Sequence, residues 1–117
     1  MNRLTIIGNL TRDPELRTTQ AGKDVCQFAV AVNRGKDKEA DFFNVNAWDK
    51  LAGLCKDYLS KGKKVCVIGS VSARTYQDRN GETRVSLDVR ANEVEFLSPK
   101  DDNNYQAVND PDDPFGE

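Results

Sequence analysis

There is no histidine in this chain. Without an imidazole no Ser-His or Cys-His pair can form, and the commonest general acid–base group of enzymes is missing. Cysteine is sparse: Cys26, Cys55 and Cys66 are an odd number at irregular spacing, with no Cys-x-x-Cys pair. That argues against a structural zinc site and predicts buried, reduced thiols of a cytosolic protein. The Gly-x-x-x-x-Gly-Lys-Ser/Thr phosphate loop is absent. No apolar run approaches the roughly 20 residues of a membrane helix. The opening MNRLTIIGNL is apolar too briefly to read as a signal peptide. Asp78, Glu82 and Asp88 could suggest a metal nuclease, but Arg79, Arg84 and Arg90 interleave with them, so a solvated face is expected. These absences predict a cytoplasmic, non-enzymatic protein with no cofactor and no metal.

Charge is unevenly spread. Residues 1–98 hold 16 Lys and Arg against 13 Asp and Glu, a net of +3; residues 99–117 hold one Lys and six acids, a net of −5. A mildly basic domain over 1–98 is expected to carry an acidic, disordered tail over 99–117. The tail has no periodicity and too few apolar residues to fold. It does contain Phe115, an aromatic inside an acidic cluster. Two readings follow: a solubilising terminus, or a docking peptide in which Asp110, Asp112, Asp113, Pro114 and Phe115 meet a partner.

The body alternates in the manner of β-strands. Leu4 to Leu10 reads as a first strand, apolar on both faces at Ile6 and Ile7, as in a doubly buried strand or a subunit contact. Asp13-Pro14 and Ala21-Gly22-Lys23 are turn signals. Val25 to Val32 is a second strand, with Cys26, Phe28, Val30 and Val32 on one face and Gln27, Ala29 and Ala31 on the other. Asp49 can cap a helix in which Leu51, Leu54, Cys55, Tyr58 and Leu59 form an apolar stripe, closed by Lys61-Gly62. Lys64 to Tyr76 is a long strand with Val65, Val67, Val71 and Ala73 inward, and Asn80-Gly81 turns it into a hairpin arm. The return strand should place Val85, Leu87 and Val89 inward and Arg84, Ser86, Asp88 and Arg90 outward. Three strands, one short helix and two more strands make the order of an OB-fold: an all-β, five-stranded Greek-key barrel with its helix between strands three and four. An open α+β sheet is the alternative.

Asp41 to Trp48 is the informative strand. Phe43, Val45 and Ala47 share a core face; Phe42, Asn44, Asn46 and Trp48 share the other. Large aromatics beside amides on an open face suit flat ligands, and every nucleobase has a π-face. The plainer alternative is that a loop, a helix or another subunit covers them. Tyr76 adds a third outward aromatic. Arg3, Arg12, Arg17, Arg34, Lys36, Lys50, Lys64, Arg74 and Arg84 supply cations along the same elements. The expected site is a groove in which Phe42, Trp48 and Tyr76 stack bases and these cations hold phosphates, neither reading sequence. Two competing readings are an OB-fold accessory protein of the primosomal kind, acting through protein contacts, and a small barrel nuclease.

The segments MNRLTIIGNLTRDPELRTT, FAVAVNR, ADFFNVNAW, LCKDYLSKGKKVCVIGSV and ARTYQDRNGETR resemble, in order, the bacterial and phage single-stranded DNA-binding proteins of the replicative SSB family, over nearly all of residues 1–97. The resemblance implies an OB-fold without enzymatic activity and a homotetramer wrapping single-stranded DNA at the nucleoid. It further implies work in replication, recombination and repair, with an acidic tip that recruits partner proteins. By position, Phe42, Trp48 and Tyr76 match family stacking residues. The sequence departs from the family pattern in three places. Arg34-Gly35-Lys36 stands where some members carry a further aromatic. The linker before the tail is short. Gly116-Glu117 follow Pro114-Phe115.

Overall fold

The structure, a computed structural model, describes residues 1–35 and 39–98. Six strands and one helix follow in the order β1 (Leu4–Leu10), β2 (Glu15–Thr18), β3 (Asp24–Asn33), β4 (Ala40–Trp48), α1 (Asp49–Tyr58), β5 (Lys64–Gln77) and β6 (Thr83–Phe96). Antiparallel pairings join β1 to β5, β5 to β6 and β3 to β4, and a short parallel pairing joins β4 to β6. The register Asn9↔Ala31 and Leu10↔Val30 brings β1 onto β3 and closes a ring of five strands. This is the expected OB barrel, with α1 between its third and fourth ring strands. Closure depends on Gly8, because a Cβ there would run into the Ala31 carbonyl.

The core is what strand alternation dictates. Ile6, Leu10, Cys26, Phe28, Val30, Val45, Ala47, Val65, Val67 and Val89 point inward and are buried. Ala52, Cys55 and Leu59 bring α1 into the same cluster. A register shift opposite Ile68/Gly69 leaves Asn92 as an extra residue in β6. It moves the inward positions from Val89 and Ala91 to Val94 and Phe96, as a β-bulge does. A Cβ on Gly69 would strike the Arg90 carbonyl, so the bulge requires glycine there.

Several expectations need correction. Residues 15–18, to which the sequence pattern assigned no element, form β2, an edge strand on β3 whose four residues are all exposed. Asp49 does not cap α1: Trp48 stands at the N-cap without a side-chain hydrogen bond, and Asp49 itself has φ +56°. β4 runs directly into the helix, leaving no capping turn. The helix ends at Tyr58; Gly62 lies beyond it at φ +89°, and its N–H donates to the Leu10 carbonyl. On α1, Leu54 and Tyr58 are exposed and Ala52 takes their expected place in the core, although the Tyr58 ring lies 5.6 Å from that of Phe96. Ala73 and Val85 are also exposed, Val85 by 60%. The distal half of the β5–β6 hairpin extends past the barrel, so its inward-phased residues Ala73 and Val85 are left exposed. All three cysteines are buried and free. Burial pushes each thiol up, Cys55 to about 12.

Candidate nucleic-acid interface

The outward face of β4 lies at the centre of a four-strand surface. Its register sets Ala31 beside Phe42, Ala29 beside Asn44, Gln27 beside Asn46 and Val25 beside Trp48. On the other side Asp88 is level with Asn44 and Arg90 with Asn46. β5 continues the surface, with Ser70 opposite Arg90, Ser72 opposite Asp88, Arg74 opposite Ser86 and Tyr76 opposite Arg84. Residues opposite one another in a sheet share a face. A polar floor of amides, hydroxyls, Asp88 and Arg90 is thus flanked along β4 by Phe42 at one end and Trp48 at the other.

The aromatics differ in exposure. Phe42 is 61% exposed and Tyr76 43%. Trp48 is half-buried, with buried Val25 as its register partner and the Arg90 guanidinium 5.4 Å from its ring centroid. Arg74 lies 5.8 Å from the Tyr76 ring. Phe43, by contrast, packs against the core. The two faces of β4 therefore separate as the alternation predicts.

Two open clefts lie in the floor. One, of about 300 Å³, is lined by Arg12, Gln27, Asn44, Asn46, Arg74 and Asp88, with Phe28 and Val45 beneath. The other, of about 270 Å³, runs past Asn46, Trp48, Ser70, Ser72, Asp88 and Arg90. Asn46 and Asp88 belong to both.

Asp88 anchors a hydrogen-bond network. Its Oδ1 accepts from Ser86 Oγ at 2.8 Å and, at 3.5 Å, from Asn44 Nδ2, which also donates to Ser86 Oγ at 2.8 Å. Its Oδ2 accepts from Arg74 Nε at 3.1 Å. Burial pushes the Asp88 carboxyl up, but the hydrogen bonds from Ser86 and Arg74, the Arg74 charge and the Asn44 amide outweigh it, leaving the group below its usual range. Ser86, expected outward, does face this side; Asn44 and Arg74 bond to it and it is buried.

The expected cations fall into groups. Arg12 and Arg74 line the first cleft together. Arg3, just before β1, Arg17 on β2 and Lys50 on α1 are exposed. Arg34 lies 3.9 Å from Asp41. Arg84 donates to Asp78 Oδ2 at 2.9 Å. Asp78 is held below its ordinary value chiefly by that bond and then by the Glu82 N–H; it also accepts from the Asn80 N–H and so ties the hairpin turn. Lys64 is linked by register through Asn9 and Ala31 to Phe42, while twelve residues of β5, roughly 40 Å of strand, separate it from Tyr76. Lys36 and the tail residues Asp110, Asp112, Asp113, Pro114 and Phe115 lie outside the described residues. Sequence reasoning did not select Gln27, Asn44, Asn46 and Asp88 as site residues. Their signal was present for Asn44 and Asn46, which share the outward phase of Phe42 and Trp48.

Comparison with known proteins points the same way. The model of the single-strand binding protein family matches residues 1–97. A protein of Staphylococcus aureus strain MRSA252 named single-stranded DNA-binding protein is 41% identical over 111 residues, 91% of this chain and 71% of its own length. Single-stranded DNA-binding protein 2 of Listeria monocytogenes serovar 1/2a is 42% identical over 108 residues, 88% of this chain and 68% of its own.

Proposed function

The chain belongs to the single-strand binding protein family, and from that premise we propose that it binds single-stranded DNA across the outward face of β4, largely without regard to sequence. The observation that carries this is the pairing of exposed Phe42 with Trp48 at the two ends of an open polar floor. Unpaired bases stack on Phe42, Trp48 and Tyr76, each contact contributing about 1–3 kcal/mol. Arg3, Arg12, Arg17, Arg34, Lys36, Lys50, Lys64, Arg74 and Arg84 hold phosphates. No catalytic group is assigned.

In the cell the protein coats and protects transient single strands in replication, recombination and repair, in the cytoplasm at the nucleoid. It does so as a homotetramer. Support for self-association comes from the outer side of β1 and β5, where Ile7 is 50% exposed and stands opposite Cys66, with Ile68 nearby. The acidic tail, residues 99–117, stays apart from the DNA by like-charge repulsion and recruits partner proteins through Asp110, Asp112, Asp113, Pro114 and Phe115.

Trp48 is the only tryptophan, so its fluorescence reports the site directly. Titration with poly-dT should quench it saturably, and affinity should fall steeply with salt as counterions are released. Equal affinity for a duplex, or indifference to salt, contradicts the reading.

A further inference from the structure

The Trp48 end of the floor holds a cation without a counter-charge. Arg34, Arg74 and Arg84 each face a carboxylate, Asp41, Asp88 and Asp78. Arg90, which is not among the cations expected in the groove, has no ion pair and no hydrogen bond from its side chain among the described residues. Its guanidinium lies over the Trp48 ring instead, 5.4 Å from the centroid. The π-face attracts the charge and leaves the N–H groups free to donate elsewhere. Arg90 stands level with Ser70 on β5, and both line the second cleft.

The segment before β1 brings a second such cation to the same place. The register of β1 on β5 ends at Leu4↔Gly69. Two residues earlier, Asn2 grips Val71 with its side chain: Oδ1 accepts from the Val71 N–H at 3.0 Å, and Nδ2 donates to the Val71 carbonyl at 2.7 Å. The amide stands in for the strand backbone that would otherwise cover this edge. Arg3, held between these two fixed points, falls level with Ser70. Leu4 packs against the core, so alternation gives Arg3 the outer side, that of Ser70 and Arg90. Arg3 is exposed and has no ion pair among the described residues. One row across the sheet therefore reads Arg3, Ser70, Arg90.

We propose that Arg3, Ser70 and Arg90 form a subsite for one backbone phosphate of the bound strand, next to the base stacked on Trp48, and that Asn2 positions Arg3 there. Two guanidinium groups and a hydroxyl offer the donors that phosphate oxygens accept best. Acids bound the row on both sides: Asp88, level with Ser72, whose carboxylate already receives Arg74, and Glu93, level with Ile68. They confine the site to a single phosphate. The inference deepens the single-stranded DNA reading and rests on it. The subsite holds the phosphodiester and reads no base, and the Arg90–Trp48 contact sets the distance between the held phosphate and the stacked base.

The test measures the affinity of the full chain for a fluorescein-labelled dT oligonucleotide by anisotropy over a series of salt concentrations, with each variant's fold confirmed by its denaturation midpoint. On single strands each neutralised phosphate adds about 0.7 to the slope of log affinity against log salt. Arg3→Gln with Arg90→Gln should lower that slope by about 0.7, the share of one phosphate, and either substitution alone by less, because the other cation stays. Arg90→Lys keeps the charge and should keep the slope. A fall of about 1.4 in the double variant means two separate phosphates and overturns the shared subsite. Weaker binding by Arg90→Gln at the wild-type slope means that Arg90 only props the Trp48 ring, and overturns its phosphate role. Asn2→Ala should weaken binding and flatten the slope as Arg3→Gln does, and should add nothing to Arg3→Gln. A loss that is absent, or that adds to that of Arg3→Gln, overturns the positioning role of Asn2. Failure of the wild type to bind the oligonucleotide overturns the underlying reading, and this inference with it.

Discussion

The two faces of β4 are made from neighbouring residues and have opposite fates. Phe43, Val45 and Ala47 face a core in which Val45 and Ala47 are sealed from solvent, while Phe42, Asn44, Asn46 and Trp48 face an open surface. The same side-chain type, phenylalanine, serves packing at 43 and lies exposed at 42. A residue's chemistry does not decide its role here; its phase in the strand does. A one-residue slip in register would exchange the two sets.

The largest effects should come from the buried side. Phe28, on β3 opposite Val45, is the bulkiest sealed side chain of the barrel. Phe28→Ala should cost about 3–5 kcal/mol of stability through lost burial and an unfilled cavity. Chemical denaturation should show the lower midpoint. Gly8→Ala should follow at about 1–3 kcal/mol, as for overpacking, because its methyl would press on the Ala31 carbonyl where the ring closes.

Acid should separate the faces more gently. Asp78 and Asp88 both have folded-state values below their ordinary ones. Their stabilising contribution is therefore complete above the unfolded carboxylate value of about 3.9 and fades as pH falls through the folded values. With no histidine in the chain, the urea midpoint should stay nearly flat from pH 8 to 5 and fall only below about pH 4. Asp88→Asn should soften that acid fall. A midpoint that moves strongly between pH 8 and 6 would contradict this account. The smallest effect should be at the thiols. Buried Cys26, Cys55 and Cys66 should react slowly with a thiol reagent at pH 8 in the native state, and all three quickly in denaturant. A triple Ser variant should still bind poly-dT.

What the sequence revealed depended on whether period alone decides the matter. The β4 faces were legible because alternation assigns both at once. The barrel order was legible because Asn80-Gly81 and the amphipathic stretch after Trp48 punctuate the strands. β2 was not: Glu15–Thr18 is exposed throughout, and only its backbone pairing with Asp24–Gln27 makes it a strand. Val85 carried the inward phase, but phase does not say how far the hairpin outruns the barrel. Asp88 was legible as an outward acid. Its place in the floor comes from the parallel pairing of β4 with β6, which joins residues 44 positions apart and leaves no local pattern.

The most direct test sets Phe42→Ala beside Phe43→Ala, with stability and poly-dT affinity measured on both. Phe42→Ala should weaken DNA binding by about 1–3 kcal/mol with little change in denaturation midpoint. Phe43→Ala should lower the midpoint and, where still folded, keep most of its affinity. The reverse pattern, an unstable Phe42→Ala that binds normally and a stable Phe43→Ala that does not, would contradict the assignment of the two faces.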